Sequence, residues 1–388
     1  MMYSGNGKWN KTTVRGSVAY SKKLSAKHRL LAGINYDHYL YDMKDEYYSE
    51  DDNIWKNGIL LNKNAGLLQG YATWKYRATP EFTFVSGLHY TQFMLNNSIA
   101  IEPRAALNWE VSPNKIISAG FGMHSMVESI VTYYATVYDD NLVASQPNVD
   151  LGLTKSDHYV VGYEQKISKK MRAKVEVYYQ NLHSVPIENI DTSYYSLINE
   201  SHGYIDTELV SEGRAYNYGI ELTLERYFFD SYYFLVTASL FDSKYKAMDG
   251  KWRNTKYNGS YAANFLIGKE FTIGKPEKGN KLNLNTKVFV GGGNRYIPIN
   301  LEESRLQGKS VYNTSEAFDN RLDNVFQMNF TASYSINRPK VRHEICLDIY
   351  NVTNNSARVY EYYDENTDKA DYYTQLNMIP NIMYKIHF

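Results

Sequence analysis

The stretch that decides the fold is QLNMIPNIMYKIHF, residues 375–388, at the end of the chain. Apolar or aromatic side chains occupy every second position from Ile382 to Phe388, and a period of two predicts a β-strand. The two expected faces are Ile382, Tyr384, Ile386 and Phe388 on one side, and Asn381, Met383, Lys385 and His387 on the other. The alternation runs to Phe388, without the loose polar tail that is common at a terminus.

The same alternation recurs almost throughout the chain, for example at 171–180, 282–290 and 325–336. It predicts an all-β protein without a helix longer than two turns. About fifteen strands are expected, at 9–20, 28–41, 64–78, 81–94, 99–111, 115–124, 155–167, 171–182, 212–228, 231–246, 251–273, 281–293, 321–336, 341–352 and 374–388.

The lengths of the strands and their connections indicate a membrane barrel. Many strands exceed the five or six residues typical of soluble proteins and reach the roughly nine to eleven that cross a bilayer. Short turns alternate with connections that are mostly long, which is typical of a transmembrane barrel. The long connections are 42–63, 125–154, 183–211, 294–320 and 353–373, whereas 95–98 and 247–250 are short. We therefore predict a transmembrane antiparallel β-barrel in which residues 1–388 form one incomplete domain.

Composition narrows the functional classes. The 42 Lys and Arg residues balance the 42 Asp and Glu residues, which argues against nucleic acid as a partner. We find no run of eighteen apolar residues, so membrane-spanning helices are not expected. The chain has a single cysteine, Cys346, and no zinc-binding pattern of Cys and His. Its first eleven residues lack the apolar segment of a secretory signal. The 38 tyrosines suit strand surfaces and membrane–water boundaries.

An ordered set of motifs resembles one family. The chain is similar to the carboxyl-terminal part of a TonB-dependent outer-membrane receptor of the Bacteroidota type. The motifs are IEPRAALNW (101–109), GFGMHSMVES (120–129), QPNVDLGLTKSDHYVVGYE (146–164), NYGIELTLERYF (217–228), ASLFDSKY (238–245), RNTKYNGSYAANFLIGKEF (253–271), GGGNRYIP (291–298), RHEICLDIYNVTN (342–354) and the closing stretch.

This resemblance implies a 22-stranded barrel with a plugged lumen, of which this chain would supply about fifteen strands and neither the plug nor the TonB box. It also implies that the outer-membrane assembly machinery reads Ile382, Tyr384, Ile386 and Phe388 as a recruiting signal. Partners would be outer-membrane lipid, an unknown small solute, and the TonB system through the missing plug. The intact protein would lie in the outer membrane.

The residues do not indicate an enzyme, a metal site or a cofactor. His124 and Ser125 are adjacent, but neighbouring strand residues point to opposite faces and cannot pair as base and nucleophile. The Gly-rich stretch 291–295 lacks the strand–loop–helix context of a phosphate-binding loop, and a strand end beside a close neighbour explains it.

Two sets of residues are candidates for binding. Aromatic side chains in the long connections could stack on a sugar ring or on an aromatic group of a siderophore, or pack at an interface. These are Trp55, Tyr133, Tyr134, Tyr194, Tyr195, Tyr204, Tyr296, Tyr312, Tyr362 and Tyr363. Polar strand faces should line the lumen and hold a plug. These are Arg172, Lys174, Glu176, Asn283, Asn285, Lys287, Glu344 and Asp348.

The resemblance thus implies a fragment of a receptor that binds an extracellular solute and imports it with TonB-coupled energy. Two alternatives stay open: a passive porin-like barrel, and a secreted all-β module for adhesion or glycan binding.

Overall fold

A computed structural model describes residues 7–49, 53–200 and 205–388 of the chain. The strands are β1 Lys8–Lys23, β2 His28–Ser49, β3 Ile54–Arg77, β4 Phe82–Phe93, β5 Ser98–Ser112, β6 Lys115–Met126, β7 Val137–Tyr138, β8 Ala144–Ser145, β9 Thr154–Ser168, β10 Met171–Glu188, β11 Leu209–Phe229, β12 Tyr232–Lys246, β13 Trp252–Asn254, β14 Tyr261–Thr272, β15 Lys281–Gly291, β16 Arg295–Tyr296, β17 Asn320–Arg321, β18 Val325–Asn337, β19 Arg342–Tyr350, β20 Arg358–Asp364, β21 Lys369–Thr374 and β22 Ile379–His387.

The helices are short. They are α1 Ile130–Tyr133 and α2 Leu301–Gln307, with 3₁₀ turns at Pro147–Asp150, Leu197–Asn199, Pro276–Lys278 and Thr314–Glu316. No helix among the described residues is long and apolar enough to cross a membrane.

One antiparallel sheet dominates the molecule. Its strand order is β1-β2-β3-β4-β5-β6-β9-β10-β11-β12-β14-β15-β18-β19-β22, and β13 adds to β12. Each main strand pairs with the next main strand along the chain, so the sheet is a meander whose end strands are β1 and β22. The predicted all-β barrel class and the fifteen main strands are confirmed. Some bounds differ: the strand expected at 374–388 begins only at Ile379, and the one expected at 321–336 begins at Val325. The strand expected at 251–273 is broken between β13 and β14, where residues 255–260 leave the ladder.

The two faces of the sheet differ sharply in chemistry. On one face, four residues of neighbouring strands are paired side by side. They are Val161, Val177, Ile220 and Leu240, on β9, β10, β11 and β12. These four side chains are 58%, 54%, 44% and 62% exposed. The adjacent row on the other face contains Gly162, Glu176, Glu221 and Ser239. A contiguous exposed apolar surface is costly in water and favourable in lipid. We call these two surfaces the apolar face and the polar face.

Local chemistry explains the tight turns. Asp230 and Ser231 connect β11 to β12, and both have positive φ angles of 52° and 68°. Positive φ angles at both central residues are typical of a type I′ turn, whose backbone twist matches that of the two strands it connects. Between β3 and β4, the Thr79 hydroxyl accepts hydrogen bonds from the amides of Glu81 and Phe82, at 3.2 and 3.0 Å. Turns of this kind lie at one end of the strands, which we call the short-turn side.

The opposite, long-loop side is more ordered than the sequence indicates. The predicted loop 42–63 is wrong for its described residues, because β2 continues to Ser49 and β3 begins at Ile54, with a register shift at Asp45/Glu46. The other long connections hold the pairs β7–β8, β16–β17 and β20–β21 and the two helices.

The loops form two cores of their own. The first packs Ile59, Leu61, Phe93, Tyr133 and Leu153 together. The second packs Ile187, Ala215, Tyr245 and Phe318 together. Each core joins strand ends to loop residues far apart in sequence, so the loops are fixed to the long-loop side of the sheet.

Candidate solute-contacting surfaces

The predicted lumen-lining residues share the polar face. Arg172, Lys174 and Glu176 lie on β10, Asn283, Asn285 and Lys287 on β15, and Glu344 and Asp348 on β19. Their places follow from the period of two, because the named residues of each strand lie two or four positions apart and therefore point to the same face.

Several of these residues bind other polar side chains of the same face. Arg172 donates to Glu225 at 2.7 Å and to Glu164 at 3.2 Å. Lys174 forms an ion pair with Glu176 at 2.7 Å, and Asn285 accepts from the Tyr233 hydroxyl at 2.8 Å. These contacts neutralise part of the charge of the polar face.

The sequence analysis missed the most buried carboxylate of the polar face. Glu102 on β5 is 2% exposed. It accepts hydrogen bonds from Arg104 at 2.6 Å and from Thr91 at 3.3 Å, and it lies 2.8 Å from His89 Nδ1. Ser125 also donates to it. The alternation of Glu102 and Arg104 in IEPRAALNW is the one signal that could have indicated it.

A concavity of about 590 Å³ opens beside this cluster. Its wall includes Arg104 and the His124 and His158 rings, whose centroids are 4.6 Å apart. Glycines such as Gly122 leave the space that side chains would otherwise fill. The Ser125 hydroxyl binds Glu102 rather than His124. Among the residues that the structure describes, no group of three or more His, Cys, Asp or Glu side chains is arranged to hold a metal ion.

Four of the predicted loop aromatics contribute to packing. Tyr133 is 0% exposed and its ring centroid lies 5.1 Å from that of Phe93. Burial raises the pKa of Tyr133 to about 12. Tyr134 is buried in the same core, and Tyr195 and Tyr194 pack against the first and second cores respectively. Because Tyr133 and Tyr134 are enclosed, neither presents its ring to a ligand.

The other predicted aromatics divide between exposed and half-buried positions. Trp55 is 58% exposed and lies in β3 rather than in a loop, edge-on to Tyr48. Tyr296 on β16 is half-buried, and Tyr363 on β20 donates to Asp368 at 2.8 Å. Tyr204 lies outside the described residues.

The hairpin β20–β21 carries an aromatic surface that includes two residues the sequence analysis missed. Tyr362 stacks on Tyr373 with ring centroids 4.5 Å apart, and Tyr360 lies 6.2 Å from Tyr373. The hydroxyls of Tyr312 and Tyr360 are hydrogen-bonded to each other. We call these four residues the tyrosine surface. Tyr360 and Tyr373 are exposed, so the hairpin presents aromatic rings to solvent.

The four residues of the predicted assembly signal lie together. Ile382, Tyr384, Ile386 and Phe388 are 76%, 58%, 43% and 99% exposed on the apolar side of the end strand. Their recognition by assembly machinery stays a prediction.

A family model described as TonB dependent receptor-like, beta-barrel, matches residues 2–378. The chain belongs to the TonB-dependent receptor β-barrel family. The resemblance inferred from the motifs is thereby confirmed, whereas the Bacteroidota type stays a prediction. The family is one of outer-membrane receptors. No curated protein sequence matches the chain.

Solved receptors share the fold at low identity. The ferric yersiniabactin uptake receptor FyuA of Yersinia pestis is 11% identical, with a TM-score of 0.66 over 99% of this chain and 55% of its own. The siderophore receptor PiuA of Acinetobacter baumannii is 13% identical, with a TM-score of 0.63 over 98% and 56%. The outer membrane transporter YddB of Escherichia coli is 13% identical, with a TM-score of 0.61 over 97% and 54%. The chain thus spans about half the length of these solved proteins.

Proposed function

We propose that the chain forms part of the wall of an outer-membrane receptor that binds a small solute outside the cell and imports it with TonB-coupled energy. The apolar face is the main support for a location in the membrane. Its large side chains are about half exposed on four neighbouring strands. In this arrangement the apolar face contacts lipid, and the polar face surrounds the transport path.

Membership of the receptor family supports the coupling to TonB. The matched receptors are about twice as long as this chain, so the coupling would depend on parts of the whole protein beyond the wall. We infer that the polar face would contact a plug through groups such as Arg172 and Lys174.

We further propose that the imported solute is a complex of a metal ion with a siderophore. Solved structures with the same fold include a ferric yersiniabactin uptake receptor and a siderophore receptor. The tyrosine surface offers exposed rings of the kind that stack on the aromatic groups of such chelates.

Uptake of radioactive iron tests this function. Cells with and without the gene for the whole receptor would receive a panel of ferric siderophores, in the presence and absence of TonB. Gene-dependent uptake of one chelate that disappears without TonB is expected. Gene-dependent uptake that persists without TonB would favour the passive porin-like alternative, and a protein soluble without detergent would favour the adhesion or glycan-binding module.

A further inference from the structure

Two arginines face each other across the small strand pair β16–β17. Arg295 is the register partner of Arg321, and directly opposed residues of an antiparallel pair share a face. Like charges in this arrangement repel and destabilise the pair. Burial lowers the pKa of the Arg295 guanidinium, and the nearby charge of Arg321 lowers it further.

Backbone carbonyls hold both guanidinium groups at one place. Arg295 donates through Nε to the carbonyl of Asn258 at 3.3 Å and through Nη1 to that of Asp319 at 2.7 Å. Arg321 donates to the carbonyl of Gly259 at 3.4 Å. Since Asn258 and Gly259 are consecutive, the two side chains converge on one short segment. Neutral carbonyls orient the donors without cancelling their charge.

Other arginines of the same loops are paired with carboxylates. Arg358 binds Asp323 with two hydrogen bonds of 2.7 and 2.6 Å, and Arg305 binds Asp368 at 2.9 Å. By contrast, no described carboxylate lies within ion-pair distance of Arg295 or Arg321. Asp242 and Asp319 attract Arg295 electrostatically, but neither carboxylate is hydrogen-bonded to it.

Tight glycine contacts fix the frame around the two arginines. A Cβ atom on Gly292 would lie 1.8 Å from the carbonyl oxygen of Gly259, and one on Gly293 would lie 2.3 Å from that of Leu322. The backbone segments that carry and orient Arg295 and Arg321 therefore pack directly against each other. This packing is the close neighbour that the sequence indicated for the stretch GGGNR.

We propose that Arg295 and Arg321 form a binding site for an anionic group, a carboxylate or a phosphate, on the solute that the receptor recognises. Two convergent guanidinium groups can donate several parallel hydrogen bonds to such a group. The bound anion would also relieve the repulsion between the arginines. This inference rests on the proposed function, because it specifies the chemistry of the imported solute.

Anion binding to the full chain, folded in detergent, tests the site. Citrate and inorganic phosphate are the probes, titrated calorimetrically, with chloride at equal ionic strength as the reference. Saturable binding is expected for the unchanged chain. Arg295→Gln and Arg321→Gln should each weaken it about tenfold, the value of one charge-assisted hydrogen bond. Arg305→Gln, which removes an arginine already paired with Asp368, should leave the affinity unchanged.

Variants with lysine keep the test decisive if a glutamine variant does not fold. Arg295→Lys and Arg321→Lys retain the charge but lose the planar fork, so intermediate affinity is expected. Absence of saturable binding to the unchanged chain, or equal affinity in the Arg305 and Arg295 variants, would overturn the proposal.

Two further measurements are needed. The first distinguishes a dissolved anion from a lipid headgroup, and the second distinguishes failure of this inference from failure of the proposed function. In vesicles, citrate binding that is equal with zwitterionic and anionic phospholipids indicates a dissolved ligand, whereas loss of binding with anionic phospholipid indicates a lipid headgroup. If TonB-dependent uptake is found but citrate and phosphate do not bind, only this inference fails. If both anions bind at the arginines but no solute is imported, the proposed function fails instead.

Discussion

The sheet and the loops place their large apolar side chains in opposite ways. In the middle of the sheet, Val177 and Leu240 point away from the protein and are about half exposed. On the long-loop side, Tyr133 and Tyr245 are 0% exposed and pack in cores made from distant segments. The difference shows that the loops supply their own apolar environment, whereas the sheet depends on an apolar medium around it.

The largest expected effect concerns a charge on the apolar face. Leu240→Lys should destabilise the chain in lipid vesicles by roughly 2–4 kcal/mol, because the ammonium would be placed near the middle of a strand that crosses the bilayer. Ser239→Lys, one residue away on the polar face, should cost much less. Denaturant unfolding in vesicles measures both changes, and equal costs would contradict the comparison.

A smaller effect is expected where loop segments contact each other. Gly292→Ala would place a Cβ atom 1.8 Å from the carbonyl oxygen of Gly259, so residues 292–324 must shift, at a cost of roughly 1–3 kcal/mol. Limited proteolysis should then cut this segment faster while the sheet stays folded. The control is Gly16→Ala on β1, where the added Cβ atom meets nothing within 4 Å. Equal protection of both variants would show that the loops do not pack as described.

The smallest effect distinguishes two buried tyrosines. The Tyr245 hydroxyl donates to the carbonyl of Tyr194 at 2.9 Å, so Tyr245→Phe should cost about 1 kcal/mol. The Tyr133 hydroxyl is buried without a hydrogen-bond partner among the described residues, so Tyr133→Phe should change stability by less than about 0.5 kcal/mol. Thermal unfolding of matched samples measures the difference. A larger loss for Tyr133→Phe would contradict the hydrogen bonding of the two cores.

The sequence predicted the sheet well because a strand's environment repeats with a period of two. Lys174 and Glu176 could be assigned to the polar face from their neighbours alone. Tyr133 and Trp55 looked alike in sequence, yet one is enclosed and the other exposed. Their difference comes from contacts with residues distant along the chain, such as Tyr133 with Phe93, and local alternation carries no information on these contacts. For the same reason the pairing of Arg295 with Arg321 could not be foreseen.

The most direct measurement of the central claim uses spin labels on Ser239 and Leu240. Each would be replaced by cysteine in a chain whose Cys346 is changed to alanine, and the labelled protein would be folded in lipid vesicles. We expect oxygen to relax the label at 240 more efficiently than a water-soluble nickel chelate does, and the reverse at 239. Equal access of both reagents to both positions would contradict the assignment of one face to lipid and the other to water.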